Sequence, residues 1–127
     1  MAKKIILWVD DDEDLKESIK PLMEAQGWDV RTAMSAEEGK ILAAQVKPDL
    51  IIMDVIMGGE HGFQAVEEIK DTPQLAKIPV IMFSSVRHNW SRTTATRDDA
   101  VMTAAEDFVD KSAPPRELIE AIRKYLG

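Results

Sequence analysis

Three uninterrupted apolar runs constrain the fold of this chain more than any other feature. They cover residues 5–9, 50–53 and 80–83, and none of them alternates between apolar and polar side chains. A strand with one face in water would alternate, so these runs are typical of strands buried on both faces, as in a parallel sheet. Two shorter and more mixed runs, 30–32 and 108–109, fit strands at the edges of that sheet.

Helical patterns fall between the apolar runs. We expect helices over residues 14–26, from Ser35 to about Val46, over 62–70, over 98–105, and from Pro114 to the end of the chain. In the first, Leu15, Ile19, Leu22 and Met23 are spaced to share one face. Ser35 and Glu38 have the spacing of a capping box.

The resulting order is a strand followed by a helix, repeated five times. Parallel strands need such crossovers, which are almost always right-handed. The sequence therefore predicts an α/β fold, a doubly wound five-stranded parallel sheet flanked by five helices. A length of 127 residues fits one domain, 1–127.

Composition excludes several classes of function. The chain has no cysteine, which rules out thiolate metal sites and cysteine nucleophiles. Its first apolar run is too short for a signal peptide or a membrane span, so we expect a cytoplasmic protein with no membrane contact. The net charge of −7 argues against direct binding of nucleic acid.

Polar side chains follow four of the five predicted strands. Asp10 and Asp11 follow the first strand, Asp54 the third, Ser84 ends the fourth, and Lys111 follows the fifth. Functional groups of doubly wound sheets gather at the carboxyl ends of the strands, so we expect these side chains to converge. Crowded carboxylates repel one another unless a cation intervenes, and Mg²⁺ prefers such oxygen ligands. A lysine and a hydroxyl suit a phosphoryl group, which indicates a carboxylate that accepts phosphate beside Mg²⁺.

Four segments also carry a family resemblance. Ile-Leu-Trp-Val-Asp-Asp at 6–11, Asp-Leu-Ile-Ile-Met-Asp at 49–54, Ile-Pro-Val-Ile-Met-Phe-Ser at 78–84 and Asp-Phe-Val-Asp-Lys at 107–111 resemble the strands and strand ends of CheY-like response-regulator receiver domains. Each segment alone is weak evidence for the resemblance, but together the four cover nearly the whole chain in the order that the family has. The resemblance implies a flavodoxin-like sheet with strand order 2-1-3-4-5.

The resemblance also implies a function in two-component signalling. Asp54 would take a phosphoryl group from the phosphohistidine of a sensor histidine kinase or a phosphotransfer protein. Asp11, Asp54 and the main-chain carbonyl of Ile56 would bind Mg²⁺ directly, and Asp10 would act through a water or orient the site.

The remaining implied roles concern the response to phosphorylation. Lys111 would contact the phosphoryl oxygens, Ser84 would bond to them once they arrive, and Phe108 would reposition with Ser84. The surface altered in this way would bind a downstream protein that the sequence does not identify. Such a domain is not an enzyme with a separate substrate, although it assists its own phosphorylation and dephosphorylation.

Four features depart from the family pattern. Gly58 and Ser112 stand where prolines are usual, and Ala104 replaces a glycine. The family's bond from the lysine to the proline is typically cis, so we expect either a trans bond with a shifted Lys111 or a strained cis bond.

The largest departure is the stretch between Ser84 and Lys111, which is longer than the family pattern by about one helical turn, or roughly four residues. Its first part is basic and contains a tryptophan, with Arg87, Trp90 and Arg92. We expect this loop to contribute to the choice of partner.

Two other functions stay open. A pseudo-receiver would keep the fold as a binding module that ignores phosphate, and the residues at 58 and 112 give this reading weight. A phosphatase like the haloacid dehalogenases would use the Asp-x-Asp pattern of residues 10–12. However, Glu13 follows where those enzymes have a small residue, and no segment resembles their cap.

Overall fold

Five strands and four helices make up the part of the chain that the computed structural model describes, which is residues 3–54, 62–84 and 105–127. The strands are β1 (Ile5–Val9), β2 (Asp29–Ala33), β3 (Leu50–Met53), β4 (Val80–Ser84) and β5 (Asp107–Asp110). The helices are α1 (Glu13–Glu24), α2 (Ala36–Val46), α3 (Gly62–Lys70) and α4 (Pro115–Leu126). The helix expected over 98–105 lies almost wholly outside the described residues.

All five strands are parallel and form one sheet in the order β2-β1-β3-β4-β5. The three continuous apolar runs are the inner strands β1, β3 and β4, and the two mixed runs are the edges. In register, Trp8 of β1 lies opposite Thr32 of β2 on one side and Ile52 of β3 on the other. The predicted doubly wound α/β sheet and its strand order are therefore confirmed.

Alternate side chains of each inner strand enter two separate cores. Leu7 and Val9 belong to the core beneath α2 and α3, whereas Ile6 and Trp8 belong to the core beneath α1 and α4. Because both faces of the strand are covered, no polar position interrupts the run. Gly39 brings α2 close to β1, since a Cβ at this position would lie 2.6 Å from Val9 Cγ2.

Local hydrogen bonds set where the helices begin and end. The Asp12 side chain caps α1 by accepting from the Leu15 amide, and Ser35 caps α2 by accepting from the Glu38 amide. The Glu38 carboxylate reaches back to the Met34 amide rather than to that of Ser35, which differs from a standard capping box. Gly27 follows α1 with a φ of +97°, a conformation that glycine adopts without strain.

The buried face of α1 differs from the expected one. Its buried residues are Lys16, Ile19 and Met23, whereas Leu22 is 45% exposed. Residues 16, 19 and 23 of the helix face the sheet. The prediction that Leu22 joins this face was wrong. None of the helices described here has the length and apolar character needed to cross a membrane.

Candidate functional site

The carboxyl edge of the sheet brings together the four predicted strand ends. Asp10 directly follows β1 and Asp54 directly follows β3, and their amides continue the ladder of hydrogen bonds. The Asp10 amide donates to the Ala33 carbonyl at 3.0 Å, and the Asp54 amide donates to the Val9 carbonyl at 3.0 Å. Since these bonds fix the backbone at each strand end, both carboxylates are held by the sheet and not by a free loop.

Three carboxylates meet at this edge. Asp10, Asp11 and Asp54 each have an oxygen within 4.8 Å of the others. Asp10 is fully buried and Asp54 is 5% exposed, whereas Asp11 is open to solvent. The cluster is therefore buried on its protein side and accessible through Asp11.

Lys111 supplies the positive charge among these carboxylates. Its Nζ lies 3.1 Å from Asp10 Oδ1 and 3.2 Å from Asp54 Oδ2. Burial disfavours the ammonium and lowers the pKa of Lys111, but the hydrogen bonds and charges of Asp10 and Asp54 outweigh that effect. The pKa of Lys111 is therefore raised above its ordinary value, and the side chain is a cation at neutral pH.

The backbone around Lys111 is fixed on both sides. The Lys111 amide donates to the Ser84 carbonyl at 3.0 Å, which joins the ends of β4 and β5. Asp110 Oδ1 accepts from the amide and the hydroxyl of Ser112, at 2.9 and 2.8 Å. The described residues contain no cis peptide bond, so the Lys111–Ser112 bond is trans and Lys111 still reaches both carboxylates.

The donor set fits Mg²⁺. Three carboxylates with one ammonium leave an excess of negative charge, and all the candidate ligands are oxygens, which Mg²⁺ prefers. Asp10 Oδ2 is buried and accepts no hydrogen bond from the described residues, although Lys111 Nζ lies 3.0 Å away as an ion pair. A buried carboxylate oxygen ordinarily has a hydrogen-bond donor, and a metal-bound water would supply one.

Of two further predicted residues, Ser84 lies at this edge and Phe108 is the second residue of β5. Ser84 is 1% exposed at the end of β4. Phe108 is half-buried on β5, packs against the core beneath α2 and α3, and lines a cavity of about 440 Å³ together with Asp110 and Ser112. Ile56, Gly58, Arg87, Trp90, Arg92 and Ala104 lie outside the described residues, so the expectations placed on them stay predictions.

Sequence reasoning missed two neighbours of the site. Lys16 is buried beside it, and its position on the apolar face of α1 was the available signal. Phe83 lies beneath Lys111, with its ring centroid 6.0 Å from Nζ, and its ring in turn contacts Trp8 with centroids 6.0 Å apart. Nothing in the spacing of an apolar strand identifies which of its residues lies under the lysine.

A family model described as the response regulator receiver domain matches residues 6–123. Protein PilH of Pseudomonas aeruginosa is 29% identical over 122 residues, which cover 96% of this chain and 97% of that protein. Transcriptional regulatory protein YvrH of Bacillus subtilis is 33% identical over 99% of this chain, which spans 50% of YvrH.

A similar solved structure contains Mg²⁺ and BeF. Response regulator protein TrrA of Thermotoga maritima, solved in complex with Mg²⁺ and BeF, has a TM-score of 0.80 and 28% sequence identity to this chain. The match covers 96% of this chain and 98% of that one.

Proposed function

The chain belongs to the response regulator receiver domain family, and on that premise we propose that it is a phosphoacceptor whose Asp54 takes a phosphoryl group. The donor is the phosphohistidine of a sensor histidine kinase or of a phosphotransfer protein. One observation carries the proposal: the nearly buried Asp54 carboxylate lies 3.2 Å from the Lys111 ammonium, within a cluster of three carboxylates.

The chemistry is a transfer between two nucleophiles. An oxygen of Asp54 forms a bond to phosphorus, the bond from phosphorus to the histidine nitrogen breaks, and its electron pair stays on the imidazole. Lys111 already contacts Asp54, so its ammonium is placed to contact the phosphoryl oxygens as the new bond forms. Fixed positive charge of this kind stabilises the charge of a transferring phosphoryl group without reorganisation.

Mg²⁺ would be held by Asp11 and Asp54, with Asp10 acting through a water or orienting the site. Bound there, Mg²⁺ supplies positive charge that offsets the crowded carboxylates and the incoming phosphoryl oxygens. The buried Asp10 oxygen that lacks a hydrogen bond supports this assignment. The likeness to TrrA, whose structure contains Mg²⁺ and BeF, supports it as well.

Ser84 and Phe108 are the proposed switch. Ser84 ends β4 at the site and its carbonyl accepts from the Lys111 amide, and its hydroxyl would donate to a phosphoryl oxygen. Phe108 is half-buried and lines a cavity of about 440 Å³ at β5, so the residue is not enclosed on every side. New charge-assisted hydrogen bonds then bias a two-state surface that a downstream protein binds.

The chain would thus work as a cytoplasmic signalling domain that assists its own phosphorylation and dephosphorylation. The test is to incubate it with Mg²⁺ and acetyl phosphate and to follow the intact mass. We expect the addition of one phosphoryl group, none in the presence of EDTA, and none in Asp54→Ala. Asp71→Ala is the control, since Asp71 is an exposed aspartate that follows α3.

The alternatives give different results. Phosphorylation that persists in Asp54→Ala and disappears in Asp10→Ala would assign the chemistry to the Asp-x-Asp pattern of a phosphatase. A folded wild-type protein that neither accepts the phosphoryl group nor binds Mg²⁺ with beryllium fluoride would favour the pseudo-receiver.

A further inference from the structure

Lys16 is a buried cation with no role in the proposed reaction. Its side chain is 4% exposed, and it lies on the face of α1 that packs against the sheet. Its Nζ donates to the Ala33 carbonyl at 3.2 Å, contacts Met34 Sδ at 3.5 Å and pairs with Glu13 at 3.3 Å. Lysine is rarely buried, because its ammonium loses hydration, so these contacts must hold it in place.

Hydrogen bonds of Lys16 connect the acidic loop, residues 10–12, to the end of β2. The carbonyl that its Nζ contacts, Ala33, also accepts the Asp10 amide. The Lys16 amide donates to the Asp12 carbonyl at 3.1 Å, and the Asp12 amide donates to Asp10 Oδ1 at 2.9 Å. Lys16 therefore ties the segment that contains Asp11 to the end of β2 through both its main chain and its side chain.

We infer that Lys16 is a positioning residue for the carboxylates that would bind Mg²⁺. The inference rests on the proposed function. Asp10, Asp11 and Asp54 repel one another at close range, and Lys111 offsets part of that repulsion through its contacts with Asp10 and Asp54. The bond to the Ala33 carbonyl holds the start of α1, and with it the segment that contains Asp11, at the end of β2.

A half-buried lysine supplies a matched control. Lys70 Nζ donates to the carbonyls of Ala76 and Ile78 at 3.3 and 2.8 Å and pairs with Glu106 at 2.9 Å. Its side chain is 16% exposed, and its partners precede β4 and β5, at the amino edge of the sheet and away from the carboxylates. Lys70→Met removes a comparable set of bonds without touching the acidic loop.

The first measurement is Mg²⁺ binding by isothermal titration of the full chain. Groups that orient metal ligands typically contribute 10–100-fold to affinity, so Lys16→Met is expected to raise the Kd for Mg²⁺ by about tenfold. Lys16→Arg keeps a charged donor and is expected to restore the Kd to within about threefold of wild type. Lys70→Met is expected to leave the Kd unchanged. If Lys16→Met does not fold, the Kd is measured for Lys16→Gln instead. Its side chain is too short to keep the bond to the Ala33 carbonyl, so we expect the same rise in Kd.

The second measurement needs no metal. Backbone ¹⁵N order parameters of Asp11 and Asp12 in the metal-free protein are expected to fall from about 0.85 toward 0.6 in Lys16→Met. Those in Lys70→Met are expected to stay at the wild-type values.

The outcomes separate the inference from the proposed function. A wild-type protein that binds no Mg²⁺ would overturn the metal site, and the order parameters would then decide the role of Lys16 alone. If Lys16→Met lowers Mg²⁺ affinity no more than Lys70→Met does, or leaves the loop as ordered as in wild type, the inference is wrong.

Discussion

Asp54→Asn is expected to make the metal-free protein more stable, although it removes the proposed phosphoacceptor. The Asp54 carboxylate lies within 4.8 Å of two other carboxylates and 3.2 Å from one ammonium. With an effective dielectric constant of about 20, each repulsion is about 3.5 kcal/mol and the attraction to Lys111 about 5 kcal/mol. The net repulsion is then about 2 kcal/mol, and the exposure of Asp11 reduces it to about 1–2 kcal/mol.

The assay is urea unfolding in EDTA, with thermal unfolding as a second probe. Asparagine has nearly the same shape as aspartate, so the substitution leaves the packing intact and removes the charge. A gain of about 1 kcal/mol corresponds to a rise in Tm of about 4 °C for a domain of this size. Adding Mg²⁺ at about ten times its Kd is expected to stabilise the wild-type protein by about 1.4 kcal/mol and so to close the gap.

Asp71→Asn is the matched control, because it removes an exposed carboxylate that follows α3. We expect its stability to stay within about 0.5 kcal/mol of wild type. The reasoning is refuted if Asp54→Asn is no more stable than wild type in EDTA, or if the control gains as much. The first result would mean that Lys111 already neutralises the cluster, and the second that removing any carboxylate stabilises a protein of net charge −7.

Three further predictions concern the scaffold. Gly39→Ala is expected to lower the free energy of unfolding by about 1 kcal/mol in a urea titration, because overpacking against Val9 outweighs the gain in helix propensity; a more stable variant would contradict this. Ser35→Ala is expected to lose about 1 kcal/mol in the same titration, since it removes the cap of α2. The hydrogen bond from Arg31 lowers the pKa of Asp29, so Arg31→Ala is expected to return that pKa toward its ordinary value in an NMR titration of the carboxyl group. Because the pKa of Asp29 is lowered in the folded state, its carboxylate stabilises the fold at pH values above its ordinary pKa, and this stabilisation is lost as the pH falls through the lowered pKa. The exposure of the pair makes the effect small.

The sheet could be predicted from the sequence because burial on both faces leaves a distinctive pattern. Strands β1, β3 and β4 are continuous apolar runs, and their first residues agree with those predicted. The sequence indicates less clearly which face of a helix packs against the sheet. In α1, Leu22 is exposed and Lys16 is buried, where it donates to the Ala33 carbonyl and pairs with Glu13 of the same helix.

The candidate site was predictable where a residue directly follows a buried strand. Asp10 and Asp54 do so, Lys111 directly follows the edge strand β5, and parallel strands bring their carboxyl ends to one edge. The partners that hold these residues were not predictable. The Ala33 carbonyl is a main-chain group with no sequence signature, and the aromatic ring beneath Lys111 is one apolar residue of a uniformly apolar strand.

The separation of the paired charges along the chain affects the order in which the molecule assembles. Lys111 lies 101 residues from Asp10 and 57 residues from Asp54, so a ribosome completes the acidic groups long before their cation. Pairing across such distances is slow, and partly formed sheets expose an unpaired edge. Until β5 pairs with β4, Asp10 and Asp54 at the carboxyl edge lack the ammonium of Lys111. Of the described strands β5 comes last in the chain, so we expect the attraction of Lys111 to Asp10 and Asp54 to favour its pairing with β4, and the site is complete only when β5 has joined the sheet.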